Sequence, residues 1–139
     1  MFKFNRVVCA LAVCAIVGVA CGAAIKIKAL TLTDLGMAES PEADGMAIMN
    51  YNQGNEQTEV TVAITDFMPD TFYYIAVEPG IGGAPVTTNS SGNANYHGVI
   101  GWDVCAWEPQ VCVYVWIDGN GDMLFQEGEK RAAGCTPCP

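Results

Sequence analysis

Histidine and basic side chains are scarce in this sequence. Its 139 residues include one histidine and only six lysines and arginines. A single histidine leaves few ways to build the acid–base chemistry of most catalytic sites, and no set of serine, histidine and aspartate stands out. The one histidine, His97, lies in the strand-like segment ANYHGVI and is expected on a solvent-exposed face. We therefore predict that the protein is not an enzyme.

The few bases are outnumbered by 15 aspartates and glutamates, which gives a formal net charge of −9. Two of the bases lie in an N-terminal segment that is expected to be removed. The remaining bases are Lys26, Lys28, Lys130 and Arg131. An acidic surface repels a phosphate backbone. Nucleic acid is therefore not an expected partner.

The N-terminus has the pattern of an export signal. Lys3 and Arg6 precede an apolar run, Val7 to Ala24, that ends in small residues. The run is just long enough to span a bilayer if it is not cut, but its small-residue end favours cleavage. We therefore divide the chain into a signal peptide or lipoprotein signal, residues 1–24, and a single domain, residues 25–139. The domain is expected to be secreted or lipid-anchored to the bacterial cell envelope.

The residues around Cys21 leave the mode of cleavage open. The stretch GVACG resembles the lipobox of bacterial lipoproteins, which implies a lipid on Cys21 after cleavage and a protein tethered to a membrane. Gly18 departs from that pattern, in which an aliphatic residue is preferred. Ordinary cleavage after Ala20, Ala23 or Ala24 would instead release a soluble protein.

The expected mature domain contains four further cysteines: Cys105, Cys112, Cys135 and Cys138. An even number of cysteines in an exported chain favours disulfides, because the compartment is oxidising. Three pairings are possible. We favour Cys105 with Cys112, because the intervening segment of CAWEPQVC includes a proline and can fold back between two strands. A zinc site built from all four thiolates is the alternative.

Strand patterns dominate the sequence after residue 25, and no good amphipathic helix is evident there. Short apolar or alternating runs are separated by turns rich in glycine, proline, asparagine and aspartate. The runs are IKIKALTLT, GMAIMNY, TEVTVAITDF, TFYYIAV, APVTT, ANYHGVI, QVCVYVWI and a short EKRAAG. Seven or eight such strands predict an all-β domain that forms a single β-sandwich, with a closed barrel as the second choice.

The stretch FMPDTFYYIAV resembles the fibronectin type III pattern of alternating leucine, proline, threonine, tyrosine and valine. In that family the tyrosine hydrogen-bonds to nearby backbone where the chain crosses between sheets, which implies such a bond for Tyr73. The resemblance implies an immunoglobulin-like or fibronectin III-like β-arch, but not the family's strand order, because too few strands precede it and too many follow. The matching positions are Phe67, Pro69, Thr71, Tyr73, Ile75 and Val77.

The strongest strand pattern carries two aromatic residues on one face. A strand places Tyr114 and Trp116 opposite its valines. If the valines fill the core, the two rings are available to stack on a sugar or on a partner chain. The alternative is that they cover a second layer or a loop disulfide, since aromatic residues are usually buried.

The segment IDGNGDMLFQEGE, residues 117–129, is either a polar hairpin or a calcium site. Oxygen-bearing residues recur at the spacing of a twelve-residue calcium loop that begins at Asp118. Met123 replaces the glycine expected at the sixth position, where a left-handed backbone is often needed. The stretch also resembles calcium loops in the B-type repeats of bacterial adhesins. The predicted ligands of Ca²⁺ are the side chains of Asp118, Asn120, Asp122, Gln126 and Glu129 and the carbonyl of Leu124.

These features together predict an exported structural or adhesive module at the cell surface or outside the cell. It is expected to be stabilised by calcium and to be non-catalytic. Its expected partner is a cell-surface protein or polysaccharide, and it meets a membrane only through the signal segment or a lipid anchor. A carbohydrate-binding module that uses Tyr114 and Trp116 is the alternative, and a small secreted enzyme is the third possibility.

Overall fold

A computed structural model describes residues 21–30, 39–52, 54–124 and 126–138 of the chain. Residues 1–20 of the predicted export signal lie outside these ranges. Within them, no helix is long and apolar enough to cross a membrane. Two short 3₁₀ turns occur, at Val104–Ala106 and Glu127–Glu129. The strands are β1 (Cys21–Ala29), β2 (Asp44–Asn52), β3 (Gln57–Thr65), β4 (Phe72–Glu78), β5 (Ile81–Thr87), β6 (Ala94–Ile100), β7 (Gln110–Trp116) and β8 (Lys130–Pro137).

Alternation of apolar and polar residues explains why these segments are strands. In β3, Val60, Val62 and Ile64 are buried, whereas Glu59 and Thr61, at positions that alternate with them, are exposed. Successive side chains of a strand point to opposite faces, so this pattern gives one apolar face and one solvated face. Each of the eight observed strands overlaps one of the eight runs seen in the sequence, and residues 31–33 of the first run lie outside the described ranges. The prediction of an all-β domain with seven or eight strands is confirmed.

The strands form one antiparallel sheet in the order β5-β4-β7-β8-β1-β2-β3-β6. Only two residue pairs join β1 to β8, so the sheet consists of two four-stranded halves. The edge strands β5 and β6 approach each other. Gly80, just before β5, lies against Ile100 at the end of β6: a Cβ atom added to Gly80 would lie only 2.6 Å from Cδ1 of Ile100. The sheet therefore nearly closes on itself, with features of both the predicted sandwich and the alternative barrel.

The core lies between the inner faces of the two halves. Each fully buried aliphatic side chain contributes roughly 1.5–3 kcal/mol to folding. A smaller apolar layer, built from Tyr74, Ala76 and Trp116, covers the outer face of β4 and β7. The largest fully buried members of the core are Tyr51, Tyr73, Ile25, Ile27, Met49, Ile64, Ile75, Val60, Val62, Val77 and Val104.

Two strands reach beyond the limits that the sequence suggests. Cys21 already belongs to β1, four positions before the predicted domain start at Ile25, and β8 continues past Gly134 to Pro137. Most of the added residues are depleted in strands, namely the glycine and alanines of CGAA in β1 and the proline of CTP in β8. They are extended because β2 and β7 supply ladder partners along these lengths. Neighbouring strands therefore set both limits.

All four cysteines of the domain form disulfides, as predicted, but the favoured pairing is wrong. Cys112 bonds to Cys135, and Cys105 bonds to Cys138. The reason is the β7–β8 ladder, in which Cys112 lies directly opposite Cys135. The position of the cysteines on neighbouring strands, and not their separation in the sequence, therefore determines the pairing. With all four sulfurs in disulfides, no thiolate of this set remains for zinc, and the two bonds fit an oxidising compartment.

Candidate functional site

The acidic segment 118–129 is the loop of the β7–β8 hairpin. A backbone hydrogen bond from Ile117 N to Glu129 O, 3.1 Å, closes it, and the 3₁₀ turn Glu127–Glu129 leads into β8. The two disulfides tie the hairpin at its other end, near the start of β7 and the end of β8. This hairpin is therefore braced covalently at one end and carries the predicted calcium loop at the other.

Two aspartates organise the loop by accepting hydrogen bonds from backbone amides. Asp118 accepts through Oδ1 from Gly121 N at 2.7 Å and through Oδ2 from Met123 N at 3.0 Å. Asp122 accepts through Oδ1 from Leu124 N at 2.8 Å. An ionised carboxylate has about four lone-pair sites, so both groups keep acceptor capacity for a cation.

The two amide ligands predicted from the sequence lie beside Asp122. Asn120 Nδ2 donates to Asp122 Oδ2 at 3.0 Å, and Gln126 Nε2 donates to the same oxygen at 2.7 Å. Asn120 Oδ1 in turn accepts from Asp122 N at 2.9 Å. The structure thus gathers Asp118, Asn120, Asp122 and Gln126 into one hydrogen-bonded loop, with Leu124 exposed in the same segment.

Met123 adopts the left-handed backbone that the sixth position of a calcium loop requires. Its φ is +59°, a conformation that costs a residue with a Cβ roughly 1–2 kcal/mol. Its sulfur lies 3.0 Å from the hydroxyl of Tyr74, which donates to it and ties the loop to the outer aromatic layer. Met123 therefore takes the left-handed conformation for which the sequence pattern favours glycine.

Glu129, the last predicted ligand, is almost fully buried, with 8% of its surface exposed. Its Oε1 accepts from Gly119 N at 2.9 Å, so the carboxylate lies against the second residue of the loop. Its Oε2 is buried and has no hydrogen-bond partner among the described residues. A buried carboxylate oxygen without a partner is costly. A cation is one partner that would remove this cost.

The three predicted carboxylate ligands, Asp118, Asp122 and Glu129, do not form one cluster. In the described part of the chain, no three or more histidine, cysteine, aspartate or glutamate side chains form a group that could hold a metal. The oxygens of Asp118 and Asp122 are engaged with loop amides, and Glu129 contacts the loop through Gly119. Phe125 and the side chain of Glu127 lie outside the described parts.

A second polar cluster, only part of which the sequence indicates, is buried below the loop 66–71. The Tyr73 hydroxyl is fully buried and donates to Glu39 Oε1 at 2.5 Å. Met68 N donates to Glu39 Oε2 and to the Tyr73 hydroxyl, at 3.3 Å each. Burial, followed by the hydrogen bond and the charge of Glu39, raises the pKa of Tyr73 well above its usual value, while Arg131 opposes this shift.

Part of this cluster has a signal in the sequence. The fibronectin type III resemblance implies that Tyr73 bonds to nearby backbone, and the contact with Met68 N is such a bond. Glu39 and Arg131 carry no local signal, because a lone carboxylate and a lone guanidinium are usually exposed. Both are at most 5% exposed in this structure.

Trp116 is not open to a ligand, and the structure agrees with the alternative interpretation, in which the aromatic side chains cover a second layer. Trp116 is 2% exposed and stacks on Tyr74, with ring centres 4.6 Å apart. Tyr114 is half-buried, and Lys130 Nζ lies 4.3 Å from the centre of its ring. The reason is that Tyr74 of β4 stacks on Trp116, that Met123 of the loop contacts Tyr74, and that β5 passes close to the indole at Gly83. The two rings therefore complete a second apolar layer.

Among the residues that the structure describes, the most exposed large apolar side chain is Trp107, at 83%. It follows the 3₁₀ turn Val104–Ala106, which is fixed by the Cys105–Cys138 disulfide and by the fully buried side chain of Val104. Glu108, the next residue, lines an open cleft together with Glu78, Pro79, Pro109, Gln110, Cys112 and Tyr114. A rigid turn thus presents an indole ring beside an acidic cleft.

The single histidine has the surface position expected from its strand pattern. His97 is exposed on β6, and its Nδ1 lies 3.2 Å from Thr61 Oγ1 of β3.

Comparisons of the chain with protein-family models, with curated proteins and with solved structures found no match.

Proposed function

We propose that the protein is an exported structural or adhesive module that works at the cell surface or outside the cell, without catalysis. The observation that carries this proposal is the double bracing of the β7–β8 hairpin, with two disulfides at one end and a buried glutamate under an acidic loop at the other. Disulfides persist in oxidising compartments outside the cytosol. A domain held in this way keeps its shape where no cellular machinery refolds it.

Calcium belongs to this proposal because the loop gathers negative charge without a nearby base among its own residues. Asp118, Asp122 and Glu129 lie within twelve positions, and the Glu129 oxygen without a partner is buried beside Gly119. Bringing like charges together in a partly desolvated place is unfavourable. A hard divalent ion prefers oxygen ligands of this kind. A small closing movement of the loop around Ca²⁺ would give Glu129 its missing partner.

Trp107 is the side chain through which we expect the module to make contact. Tryptophan is enriched among residues that dominate binding energy, and a ring held on a rigid turn loses little conformational freedom on binding. The disulfide Cys105–Cys138 and the buried Val104 supply this rigidity. A partner protein or polysaccharide on the cell surface would cover the indole.

An adhesion assay tests the proposal. Beads coated with the folded protein should adhere to intact bacterial cells in calcium buffer, and beads coated with the reduced and alkylated protein should adhere far less. Trp107→Ala should lower adhesion severalfold. Met46→Ala removes another exposed apolar side chain, on β2, and should leave adhesion unchanged. Equal adhesion of the folded protein and the reduced and alkylated protein would contradict the proposal. If the Trp107→Ala variant adheres as well as the wild type, Trp107 is not the contact residue.

Carbohydrate binding is the second candidate, and the exposure of Trp107 favours it. Sugar rings stack on exposed aromatic rings, and the cleft next to Glu108 offers carboxylate and amide groups to hydroxyls. A glycan array separates the two candidates. Binding to defined glycans that is lost in Trp107→Ala would establish the second, whereas adhesion to cells without any glycan binding would favour a protein partner.

A further inference from the structure

The first strand of the sheet includes residues that the sequence places in the export signal. Cys21, the first described residue, already belongs to β1. The β1–β2 ladder runs from Cys21 paired with Tyr51 to Lys28 paired with Asp44, eight pairs in all. Residues 21–24 supply four of these pairs. Cleavage after Ala24 would thus remove half of the ladder that holds β1 to β2.

The same four residues cover part of the core. Ala23 packs against it, and its ladder partner Met49 is fully buried. Tyr51, opposite Cys21, is 2% exposed. β2 pairs with β3 along one edge and with β1 along the other, and no other described strand pairs with the β1 edge. Loss of residues 21–24 would therefore leave the backbone groups of residues 48–51 that face β1 without strand partners.

We infer that the export signal is cut at the Ala20–Cys21 bond, so that Cys21 is the first residue of the mature protein. Three bonds fit the small-residue pattern, after Ala20, Ala23 and Ala24, and only the first leaves the whole of the described β1 in the domain. In this step water adds across the amide. Its C–N bond breaks, Ala20 gains the carboxylate, and Cys21 gains a free amine. The inference rests on the proposed export.

Intact mass of the protein purified from its own cells tests the cleavage point. The expected mass is that of residues 21–139 with two disulfides, with or without an added diacylglycerol on Cys21. Either form supports the inference, and the lipid tells an anchored protein from a released one. A mature chain that begins at Ala24 or Ile25 would overturn it. A chain that keeps residues 1–20 would instead contradict the proposed export.

Thermal unfolding of two recombinant chains gives an independent readout. One chain starts at residue 21 with Cys21→Ser, which prevents disulfide exchange with the added thiol, and the other starts at Ile25. Loss of the four ladder pairs should lower the unfolding midpoint of the shorter chain by roughly 5–10 °C. A chain starting at Ala23, which keeps two of the four pairs, should fall between them. Equal midpoints for all three chains would remove the physical basis of the inference.

Discussion

At the scale of single residues, Tyr73 and Glu39 form a buried side-chain hydrogen bond. The hydroxyl of Tyr73 is the donor to Glu39 Oε1, and Met68 N donates to both groups. A buried acceptor that loses its donor keeps the full cost of desolvation, which is larger than the net gain from an ordinary hydrogen bond. This contact therefore anchors the segment around Glu39 against β4.

Replacing Tyr73 with phenylalanine should lower the free energy of unfolding at pH 7 by about 1–3 kcal/mol, because Glu39 is left without this donor. When the pH is raised from 7 to alkaline values, the free energy of unfolding should also fall less in this variant than in the wild type. The pKa of Tyr73 is raised in the folded protein. Its stabilising contribution is therefore complete below pH ~10, where the unfolded chain begins to lose the phenolic proton, and declines as the pH rises further. Urea unfolding at both pH values measures these effects.

Tyr96→Phe is the matched control for this prediction. Tyr96 is a half-buried tyrosine on β6 whose pKa is also raised by burial. Its replacement should cost less at pH 7, because it does not remove the donor to Glu39. The interpretation of the Tyr73–Glu39 pair is wrong if both variants lose the same stability at neutral pH and respond alike to alkali.

At the scale of elements, the β7–β8 hairpin joins the outer aromatic layer, the acidic loop and the disulfides. Met123 of the loop contacts Tyr74, and Tyr74 stacks on Trp116 at the end of β7. Glu129 lies immediately before β8 and accepts a hydrogen bond from Gly119 N in the loop. An ion bound by the loop would therefore stabilise the same hairpin that the disulfides hold at its other end.

Calcium should raise the unfolding midpoint of the wild-type protein. An ion that binds only the folded state adds about 2.7 kcal/mol of stability when its concentration is a hundred times the dissociation constant. The variant Asp118→Ala combined with Glu129→Ala removes two predicted ligands and should show no such increase. Differential scanning calorimetry with calcium and with a chelator measures the difference between the two proteins.

Glu59→Gln is the control for charge alone, because Glu59 is an exposed carboxylate on the outer face of β3. This variant should respond to calcium like the wild type. If the wild-type midpoint does not rise with calcium, the segment is an ordinary hairpin loop held by the hydrogen bonds of Asp118 and Asp122.

At the scale of the whole molecule, the two halves of the sheet meet where β8 crosses β1. The ladder there has two residue pairs, and the next residue of β8, Gly134, lies against β1. A Cβ on Gly134 would lie 2.1 Å from the carbonyl oxygen of Lys26 and 2.9 Å from Cγ2 of Ile25. The lack of a side chain at this position therefore allows the halves to join.

Gly134→Ala should lower the free energy of unfolding by roughly 1–3 kcal/mol, because the added methyl group forces β8 away from β1. Chemical denaturation monitored by circular dichroism measures the change. Gly82→Ala on the edge strand β5 is the matched control, since a Cβ there meets no atom within 4 Å. That variant should be neutral or slightly stabilised. Equal stabilities for the two variants would show that β1 and β8 tolerate a wider separation.

The sequence by itself determined the features that depend on neighbouring residues. Apolar alternation and turn residues predicted seven or eight strands, and each observed strand overlaps one of the predicted runs, because the two-residue period of a strand is visible in a short window. The segment after Asp118 was assigned to a turn that follows the strand QVCVYVWI, and the resemblance to fibronectin type III implied a bond from Tyr73 to nearby backbone. The even number of cysteines was enough to predict that they form disulfides.

Only the tertiary structure decided which distant residues meet. The ladder between β7 and β8 placed Cys112 opposite Cys135, which overturned the pairing suggested by sequence proximity. The fold buried Glu39 against Tyr73 and covered Trp116 with Tyr74, and it left Trp107 exposed. Each of these outcomes depends on strand order and register, which are set by packing between segments far apart in the chain. The local alternation of apolar and polar residues does not predict that packing, because many strand orders are compatible with the same alternation.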